Sequence, residues 1–187
     1  MNIIYPHHHH KVSLVLVMLL VVSMLMMNQQ QQVRAAELTS SEKTAILNAH
    51  NSARLSVAPT PLNKLAALEW SDELASRAAS WLTKCAAGPS SNSLNLGVNI
   101  HVSMKGNMSV VDIVNEWTLE SSKYDFTNNY CSSGDCQHYI QVVSAASTKV
   151  GCSRATCAKV FNKPELNGAT LIVCNYSPKP NVLDRPY

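Results

Sequence analysis

The sequence predicts an α+β fold that is stabilised by disulfide bonds. Three observations lead to this prediction: helix signals dominate the first half of the chain, β-rich runs dominate the second, and six cysteines follow an apolar leader. The chain has 187 residues, of which 46% are hydrophobic and 14% charged. This composition supplies a core and carries too little charge for a disordered or nucleic-acid-coating protein. The length predicts one domain behind the leader.

The start of the chain has the pattern of a secretory signal peptide. Lys11 precedes sixteen uncharged residues, Val12 to Met27. As a helix this run would span about 24 Å, short of the roughly 30 Å hydrocarbon core of a membrane. Val33 and Ala35 occupy the minus three and minus one positions for cleavage after Ala35, with Ala36 as a competing site. We therefore predict that residues 1–35 are removed; a signal anchor is the alternative.

The predicted mature chain, residues 36–187, is close to neutral. Cleavage removes the tract His7–His10 together with Lys11 and Arg34, which leaves 13 basic and 12 acidic residues. This balance recruits neither nucleic acid nor an anionic membrane. We predict a monomeric extracellular domain with no nucleic-acid partner and no transmembrane anchor after processing.

Three helices are predicted in the earlier part of the mature chain. Thr39 and Glu42 have the pattern of a capping box, and apolar residues at helical spacing follow before Pro59. A second helix begins at about Ser71 and a third begins after Ser109. The apolar stripes of the three helices are Ala45, Ile46, Ala49 and Ala53; Leu74, Ala78, Trp81, Leu82 and Cys85; and Val110, Val114 and Trp117.

The remaining segments predict a largely antiparallel sheet. The predicted strands are Leu96 to Ile100, His138 to Val143, Lys149 to Cys157 and Ala169 to Tyr176. The polar segment Asn162 to Gly168 connects the last two strands as a hairpin. Helices come mostly first and strands mostly last, which is the order of an α+β fold with helices packed on a sheet.

All six cysteines lie in the predicted mature chain, and an even number behind a signal peptide indicates disulfides. A zinc site would need Cys-x-x-Cys units. The closest pairs here, Cys131 with Cys136 and Cys152 with Cys157, are five residues apart. Six cysteines allow fifteen pairings, so composition and spacing leave the connectivity open.

Sequence blocks along the whole mature chain resemble those of one family. The blocks are HNSAR (His50 to Arg54), LEWSDELASRAASW (Leu68 to Trp81), LGVNI, EWTLESSKYDF (Glu116 to Phe126), CQHYIQVVS (Cys136 to Ser144), VGCSRATC and LIVCNYSPKPNVLDRPY. Their order resembles that of the CAP superfamily, which comprises cysteine-rich secretory, antigen 5 and pathogenesis-related proteins. Within it the plant pathogenesis-related class 1 proteins are the most similar, and the terminal RPY favours this plant branch.

The resemblance implies a three-layer α-β-α sandwich with a central, largely antiparallel sheet and an open cleft. It also implies a disulfide pairing, Cys131–Cys136, Cys152–Cys174 and Cys85–Cys157. Such bonds predict an extracellular domain that resists heat and proteases.

In the family, two histidines and two glutamates meet in the cleft. The resemblance assigns His50 and His138 as the histidines and Glu120 as one glutamate, whereas Val98 stands in place of the other. Two imidazoles and one carboxylate can hold a divalent metal, so a weak zinc site at these three residues is the one cofactor hypothesis; otherwise we expect no cofactor. Taken singly, each residue also has a structural interpretation: His50 as a core histidine, Glu120 as a glutamate paired with Lys123, and His138 as a half-buried imidazole. Together, in the family's order, they favour a shared cleft.

The residues give little support to catalysis. The cysteines are assigned to disulfides, the sequence has no Gly-x-Ser-x-Gly elbow, and the cleft lacks a carboxylate at Val98. We predict that the protein is not an enzyme. The alternative is a metal-dependent hydrolase that uses His50, Glu120 and His138.

The resemblance implies instead a secreted defence protein of the apoplast or cell wall, whose class is associated with sterol binding and with action against fungi and oomycetes. The family's QVVW segment corresponds to Gln141 to Ser144, so Val142 and Val143 are the candidate lipid groove, with sheet core as the alternative. The partner is then a sterol or another small lipid. A second alternative is that the tail, Pro178 to Tyr187, is released as a signalling peptide; otherwise it is a surface strap.

Two sequons occur, at Asn107 and at Asn175. Asn107 precedes a predicted helix in a loop, where it can be glycosylated. Asn175 lies on a predicted strand beside Cys174 and is expected to remain bare.

Overall fold

A computed structural model describes residues 9–30, 33–88, 95–104, 108–181 and 184–187. The chain divides into two compact units, residues 1–32 and 33–187. The first contains helix α1, His9–Gln30. None of the helices within the described ranges is long and apolar enough to cross a membrane.

The second unit contains the other helices and the strands. The helices are α2 (Ser40–Leu55), α3 (Asp72–Leu82), α4 (Val110–Leu119) and α5 (Gln137–Val143). The strands are β1 (Val33–Ala36), β2 (Glu69–Trp70), β3 (Gly97–Ser103), β4 (Tyr124–Asp125), β5 (Tyr130–Cys131), β6 (Lys149–Cys157) and β7 (Thr170–Ser177). Among the described residues, Glu120–Lys123 forms a short 3-10 helix that continues α4, and Pro164–Leu166 forms another between β6 and β7.

The main sheet has the strand order β1-β6-β7-β3, and all these neighbours are antiparallel. Strand β2 adds a short parallel pairing to the start of β6, and β4 and β5 form a separate ribbon. The predicted hairpin is confirmed, because β6 and β7 pair along their length with Cys152 opposite Cys174.

The sheet is covered by helices on both faces, which confirms the three-layer arrangement. Alternate residues of β6 and β7 enter two core clusters, as the two-residue period of a strand requires. The larger cluster joins the sheet to α2, α4 and α5; its buried members are Leu38, Ile46, Leu65, Leu68, Val110, Ile113, Val114, Trp117, Tyr139, Val142, Val143, Val150, Cys152, Ile172, Cys174 and Tyr176. The smaller cluster joins the sheet to α3; its buried members are Ala78, Leu82, Cys85, Ala155, Cys157, Val160, Ala169, Leu171 and Val173.

The three predicted helices are confirmed, and local capping explains where they begin. The capping box of α2 is complete: the Thr39 hydroxyl accepts from the Glu42 N–H at 3.2 Å, and the Glu42 carboxylate accepts from the Thr39 N–H at 2.8 Å. Ser71 caps α3 and Ser109 caps α4 in the same way, through the N–H three residues on. These side chains satisfy backbone donors that the helix itself leaves unpaired.

The prediction of a strand from His138 to Val143 is wrong, because this segment is helix α5. A short apolar run fits a buried strand and a buried helix equally well. Here Tyr139, Val142 and Val143, three and four residues apart, face the larger cluster. The Glu120 carboxylate also accepts a hydrogen bond from the Tyr139 N–H at 3.0 Å, which stabilises the first turn of the helix.

The structure extends the predicted sheet at two places. Strand β3 runs to Ser103, beyond the predicted end at Ile100. Strand β1 pairs the backbone of Val33–Ala36 with the end of β6, so the signal-peptide cleavage predicted after Ala35 would cut within this strand. Removal of residues 1–35 remains a prediction.

The structure contains the three disulfides that the resemblance implies. Cys85 pairs with Cys157, Cys131 with Cys136 and Cys152 with Cys174. No cysteine is left free. The disulfides connect α3 to the sheet, close the loop before α5 and link β6 to β7.

Helix α3 approaches the sheet closely at Gly151, and we predict that Gly151→Ala destabilises the fold. A Cβ at this position would overlap the carbonyl oxygen of Ser71 and the backbone nitrogen of Ala75. We expect the free energy of unfolding to fall by about 1–3 kcal/mol in urea denaturation. Gly88→Ala is the control, because a Cβ there meets nothing within 4 Å. Equal stability of both variants would contradict the close packing.

Candidate functional site

Glu120 and His138, two of the predicted cleft residues, are in direct contact. The His138 Nδ1–H donates to Glu120 Oε1 at 2.7 Å. Glu120 begins the 3-10 turn after α4 and His138 lies in the first turn of α5, so the pair connects the two helices. The hydrogen bond to Glu120 raises the pKa of His138, against the opposing effect of burial.

A second histidine–glutamate pair lies beside the first. His101 Nδ1 is 3.3 Å from Glu116 Oε2, and the side chain of His101 is 16% exposed. Its other nitrogen, Nε2, is buried without a hydrogen-bond partner. Burial lowers the pKa of His101, the charge of Glu116 raises it and the charge of His138 lowers it further.

His138 contacts both the edge strand that carries His101 and helix α4. The Asn99 side chain donates to the His138 carbonyl at 3.0 Å. The His138 ring stacks on Trp117 with ring centres 5.9 Å apart, and the nearby backbone of Ile100 contributes to the raised pKa of His138. We call His101, Glu116, Glu120 and His138 the two-histidine cluster.

His50, the third residue assigned to the cleft, is a core residue. It is fully buried, its Nδ1–H donates to the Ile46 carbonyl at 2.8 Å, and its Nε2 accepts from the Tyr176 hydroxyl at 2.7 Å. Both ring nitrogens are therefore occupied in a neutral imidazole. Burial lowers the pKa of His50 to about 4, with a smaller contribution from the nearby charge of Arg54 and an opposing one from the Ile46 carbonyl.

Val98 packs on the opposite side of the sheet from the two-histidine cluster. Its side chain contacts the smaller core cluster, next to α3, whereas Asn99 points to His138 and Tyr176 on the α5 side. The structure thus brings together Glu120 and His138 and separates both from Val98.

His101 and Glu116 were not predicted as site residues, although two signals in the sequence point to them. His101 is two residues after Asn99, so both side chains share one face of β3. Glu116 is four residues before Glu120, so both carboxylates lie on one side of the helix. A search for His and Glu at these periods would have found the second pair.

In the HNSAR block, the polar side chains that form contacts have structural roles. The Asn51 side chain bonds both the carbonyl and the N–H of Leu68, at 3.1 and 2.8 Å. Arg54 is buried and donates to four backbone carbonyls, those of Ala66, Val142, Ser144 and Ser147. These bonds attach α2 to the segment before β2, to the last turn of α5 and to the residues that follow it.

Val142 and Val143, the predicted lipid groove, are fully buried in the larger core cluster. Their side chains contact the core because α5 turns this face towards the sheet. Ser144, in the place of the family's tryptophan, is also buried. Val142 and Val143 are therefore core residues, which was the alternative interpretation to a lipid groove.

The candidate glycosylation site Asn107 lies outside the described residues. Asn175 is buried, and its side chain donates to the Leu74 carbonyl.

A cavity of about 450 Å³ lies where the end of the tail meets the loop after α2. We call it the tail cavity; it is lined by Pro59, Thr60, Pro61, Leu62, Asn63, Leu65, Phe126, Ala145 and Tyr187. Most of these residues are apolar. The volume is in the range of small-molecule sites.

Tyr187 forms part of the wall of this cavity, and the last three residues are held by several contacts. Tyr187 stacks on Phe126 with ring centres 4.8 Å apart, and its hydroxyl donates to the Ala58 carbonyl at 2.9 Å. Arg185 donates to the carbonyls of Phe126 and Thr127. The Pro186 carbonyl accepts from the Ala145 N–H. The tail is thus a strap across the surface.

Comparison with known proteins gives the same family as these features. The model of the cysteine-rich secretory protein (CAP) family matches residues 47–176, and the chain belongs to that family. Human peptidase inhibitor 16 is 35% identical over 152 residues, which are 80% of this chain and 32% of that protein. Pathogenesis-related protein 1 of Arabidopsis thaliana is 32% identical over 150 residues, 75% of this chain and 80% of that protein.

A solved structure has the same fold. Schistosoma mansoni venom allergen-like protein 4 superimposes with a TM-score of 0.64 at 26% identity, covering 80% of this chain and 95% of that one. This chain spans about a third of human peptidase inhibitor 16. The animal and plant relatives are identical to this chain at similar percentages, so the comparisons show the CAP family and do not separate its animal and plant branches.

The buried state of His50 predicts a measurable pH dependence of stability. Its pKa falls from 6.5 in the unfolded chain to about 4 in the folded one, so the unfolded state binds the proton first. The stabilisation is present above pH 6.5 and is lost as the pH falls towards 4, by about 3 kcal/mol in total.

Imidazole NMR against pH measures this directly. We expect His50 to stay neutral until about pH 4 and His138, whose pKa is raised by Glu120, to titrate above its ordinary range. Titration of His50 near 6.5 would contradict its placement in the core.

Proposed function

We propose that this protein is a secreted CAP-family protein that acts by binding a sterol or another small lipid, without turnover. The tail cavity is the observation that carries the proposal. Its walls are mainly prolines, leucines and aromatic rings, with Thr60 and Asn63 as polar residues that suit a single hydroxyl. Sterol recognition needs this combination of an apolar wall and one or two polar groups.

A second cavity of about 430 Å³ is less suited to a sterol. It lies between the end of α2 and the turn after α4, and its wall includes Ser56, Thr118, Ser121 and Ser122. Hydroxyl groups remain hydrated unless a ligand satisfies them, so burying an apolar ring system against them costs free energy. The tail cavity is therefore the better lipid site.

The contacts of the assigned cleft residues support binding over hydrolysis. His50 has both nitrogens occupied by Ile46 and Tyr176, and a general base needs a free nitrogen within reach of the substrate. Val98 faces the other side of the sheet. These contacts leave His50 without a free nitrogen to activate a water, and the position of Val98 supplies no second carboxylate, which favours binding.

A defence role against fungi or oomycetes, outside the cell, is part of this proposal. Three disulfides suit an oxidising extracellular compartment. The similarity to pathogenesis-related protein 1 of Arabidopsis thaliana supports a place in plant-type defence. Arg185 and Tyr187 form hydrogen bonds with Phe126 and Ala58. These contacts support a tail that straps the surface, in preference to one that is released as a signalling peptide.

The proposal predicts that cavity variants lose lipid affinity. The test is an equilibrium titration of the oxidised protein with a fluorescent sterol, comparing Leu62→Asp and Phe126→Ala with wild type. We expect saturable binding by wild type and at least about tenfold weaker binding by each variant, because each removes apolar wall.

Leu55→Asp is the matched control. Leu55 is an exposed leucine like Leu62 but does not line the cavity, so its variant should bind as wild type does. Val142→Asp would be a poor control, because a buried carboxylate there would unfold the core. Wild-type affinity in Leu62→Asp and Phe126→Ala, or no saturable binding by wild type, would contradict the proposal.

A further inference from the structure

The second cavity, of about 430 Å³ between the end of α2 and the turn after α4, has a wall rich in hydroxyl groups. We call it the hydroxyl cavity; its hydroxyl-bearing residues are Ser56, Thr118, Ser121, Ser122, Tyr124 and Tyr139. Within the part of the chain that the structure describes, no charged side chain contributes to this wall. A ligand that fits the wall is therefore polar and neutral, because a charge that leaves water without a counter-charge costs far more free energy than a hydroxyl does.

The serine and threonine hydroxyls of this cavity use their protons within the protein. Ser56 Oγ donates to the carbonyl four residues earlier at 3.0 Å. Thr118 Oγ1 and Ser122 Oγ donate to the carbonyls three residues earlier, at 2.8 and 2.9 Å. A hydroxyl has one proton and two lone pairs. The three oxygens are consequently acceptors for a ligand and not donors.

The two tyrosines of the wall are arranged in the same sense. The Tyr124 hydroxyl donates to Asn129 Oδ1 at 2.6 Å. The Tyr139 hydroxyl is 3.2 Å from the Tyr187 hydroxyl. Because Tyr187 donates its own proton to the Ala58 carbonyl, Tyr139 is the donor of this pair. A ligand that forms further hydrogen bonds with these phenols must therefore supply the proton.

The wall also has apolar surface between its hydroxyl groups. The rings of Tyr124 and Tyr139 lie 5.8 Å apart at an angle of 56°, and Ala53, Val57 and Leu119 add aliphatic groups. Burial raises the pKa of both tyrosines, so their hydroxyls stay protonated and neutral. A sugar ring has hydroxyl donors along its edge and C–H groups on its faces, and this combination matches both parts of the wall.

We propose that the hydroxyl cavity binds a neutral carbohydrate, whose hydroxyl groups donate to Ser56, Thr118 and Ser122 and whose ring packs against the two tyrosines. The volume is in the range of small-molecule sites. An ammonium ligand would also donate and contact aromatic rings, but the wall offers it no carboxylate. The hydroxyl cavity and the tail cavity have no residue in common, so this inference does not depend on lipid binding.

The test is saturation-transfer NMR on the oxidised full chain, with glucose, cellobiose, maltose and N-acetylglucosamine as the probes and choline as the cationic alternative. We expect saturable binding of at least one of the four sugars. In protein with labelled aromatic rings, that sugar should shift the resonances of Tyr124 and Tyr139. The resonances of Phe126, in the wall of the tail cavity, should stay unchanged.

Two variants remove one acceptor oxygen each. We expect Thr118→Val and Ser122→Ala to weaken sugar binding about fivefold each, the value of one net hydrogen bond. Thr44→Val is the matched control for Thr118→Val. The Thr44 hydroxyl also donates to a carbonyl of its own helix, at 3.0 Å, but it does not line the cavity, so this variant should bind sugar as wild type does.

The outcomes separate the carbohydrate site from its alternatives. No saturable binding of any of the four sugars, or binding of choline alone, would overturn the inference. Wild-type sugar affinity in both Thr118→Val and Ser122→Ala would do the same. Leu62→Asp, which alters the tail cavity, should retain sugar binding; loss of sugar binding in this variant would place the sugar in the tail cavity and contradict the assignment.

Discussion

Arg54→Ala is expected to lower the free energy of unfolding by at least about 3 kcal/mol. The buried guanidinium donates to four backbone carbonyls from separate parts of the chain, and each acceptor left unpaired in the core costs about 1–3 kcal/mol. Burial also lowers the pKa of Arg54 to about 10, so the charge persists at neutral pH. Denaturation in guanidinium chloride at pH 7 measures the loss.

Arg77→Ala is the matched control for Arg54→Ala. Arg77 is more than half exposed and pairs with Glu73 one helical turn away, an arrangement that contributes about 0.3–0.5 kcal/mol. Its variant should unfold almost as wild type does. A loss below about 1 kcal/mol for Arg54→Ala would show that water replaces the guanidinium, and the structural interpretation of the HNSAR block would then be wrong.

Removing the disulfide Cys85–Cys157 is expected to have the second large effect. It closes a loop of 72 residues, and the chain-entropy model assigns such a loop about 4 kcal/mol. The disulfide Cys131–Cys136 spans 5 residues and is expected to contribute about 2 kcal/mol. Alanine replaces both cysteines of a pair in each variant, and thermal unfolding without reductant gives the two losses.

The comparison of the two disulfide variants is the informative measurement. Each variant retains the other two disulfides. A difference in melting temperature between them therefore reflects the length of the loop that the missing disulfide closes, and not the redox state. The account predicts the lower melting temperature for the variant without Cys85 and Cys157. The reverse order, or an unchanged melting temperature on full reduction, would contradict the predicted role of the disulfides.

Much of the fold could be predicted from local sequence signals. The helix starts at Thr39, Ser71 and Ser109 follow from side chains that cap the nearest N–H groups. The hairpin of β6 and β7 follows from two β-rich runs around a short polar loop. Helix α5 could not be separated from a strand in the same way, because seven residues are too few to define a period and the deciding contact comes from Glu120.

The candidate site was harder to predict, because its contacts join distant parts of the chain. Glu120 and His138 were predicted to share a cleft, and the structure places them in direct hydrogen-bond contact. The core contacts of His50 could not be read from the sequence, because nothing in its neighbourhood along the chain reveals Tyr176, which lies 126 residues later and occupies its second nitrogen. His101 was missed because its importance depends on Glu116, on the other side of a loop.

The polar core between these two histidine environments explains why they differ. The Tyr176 hydroxyl donates to His50 and accepts from Asn99, which in turn donates to the His138 carbonyl. This chain of bonds fixes His50 as a neutral core group and presents His138 at the surface. His50 and His138 thus lie on the same side of the sheet, both against Trp117, and differ in burial and in their hydrogen-bond partners.

The most direct test of the binding proposal is to map the ligand on the protein by NMR, adding a sterol to the oxidised chain with labelled methyl groups and aromatic rings. The account predicts saturable shifts of Leu62, Leu65, Phe126 and Tyr187, with His101 and His138 unchanged. Shifts confined to the two-histidine cluster, or no saturable shift at all, would contradict the claim that this protein binds a lipid in the tail cavity.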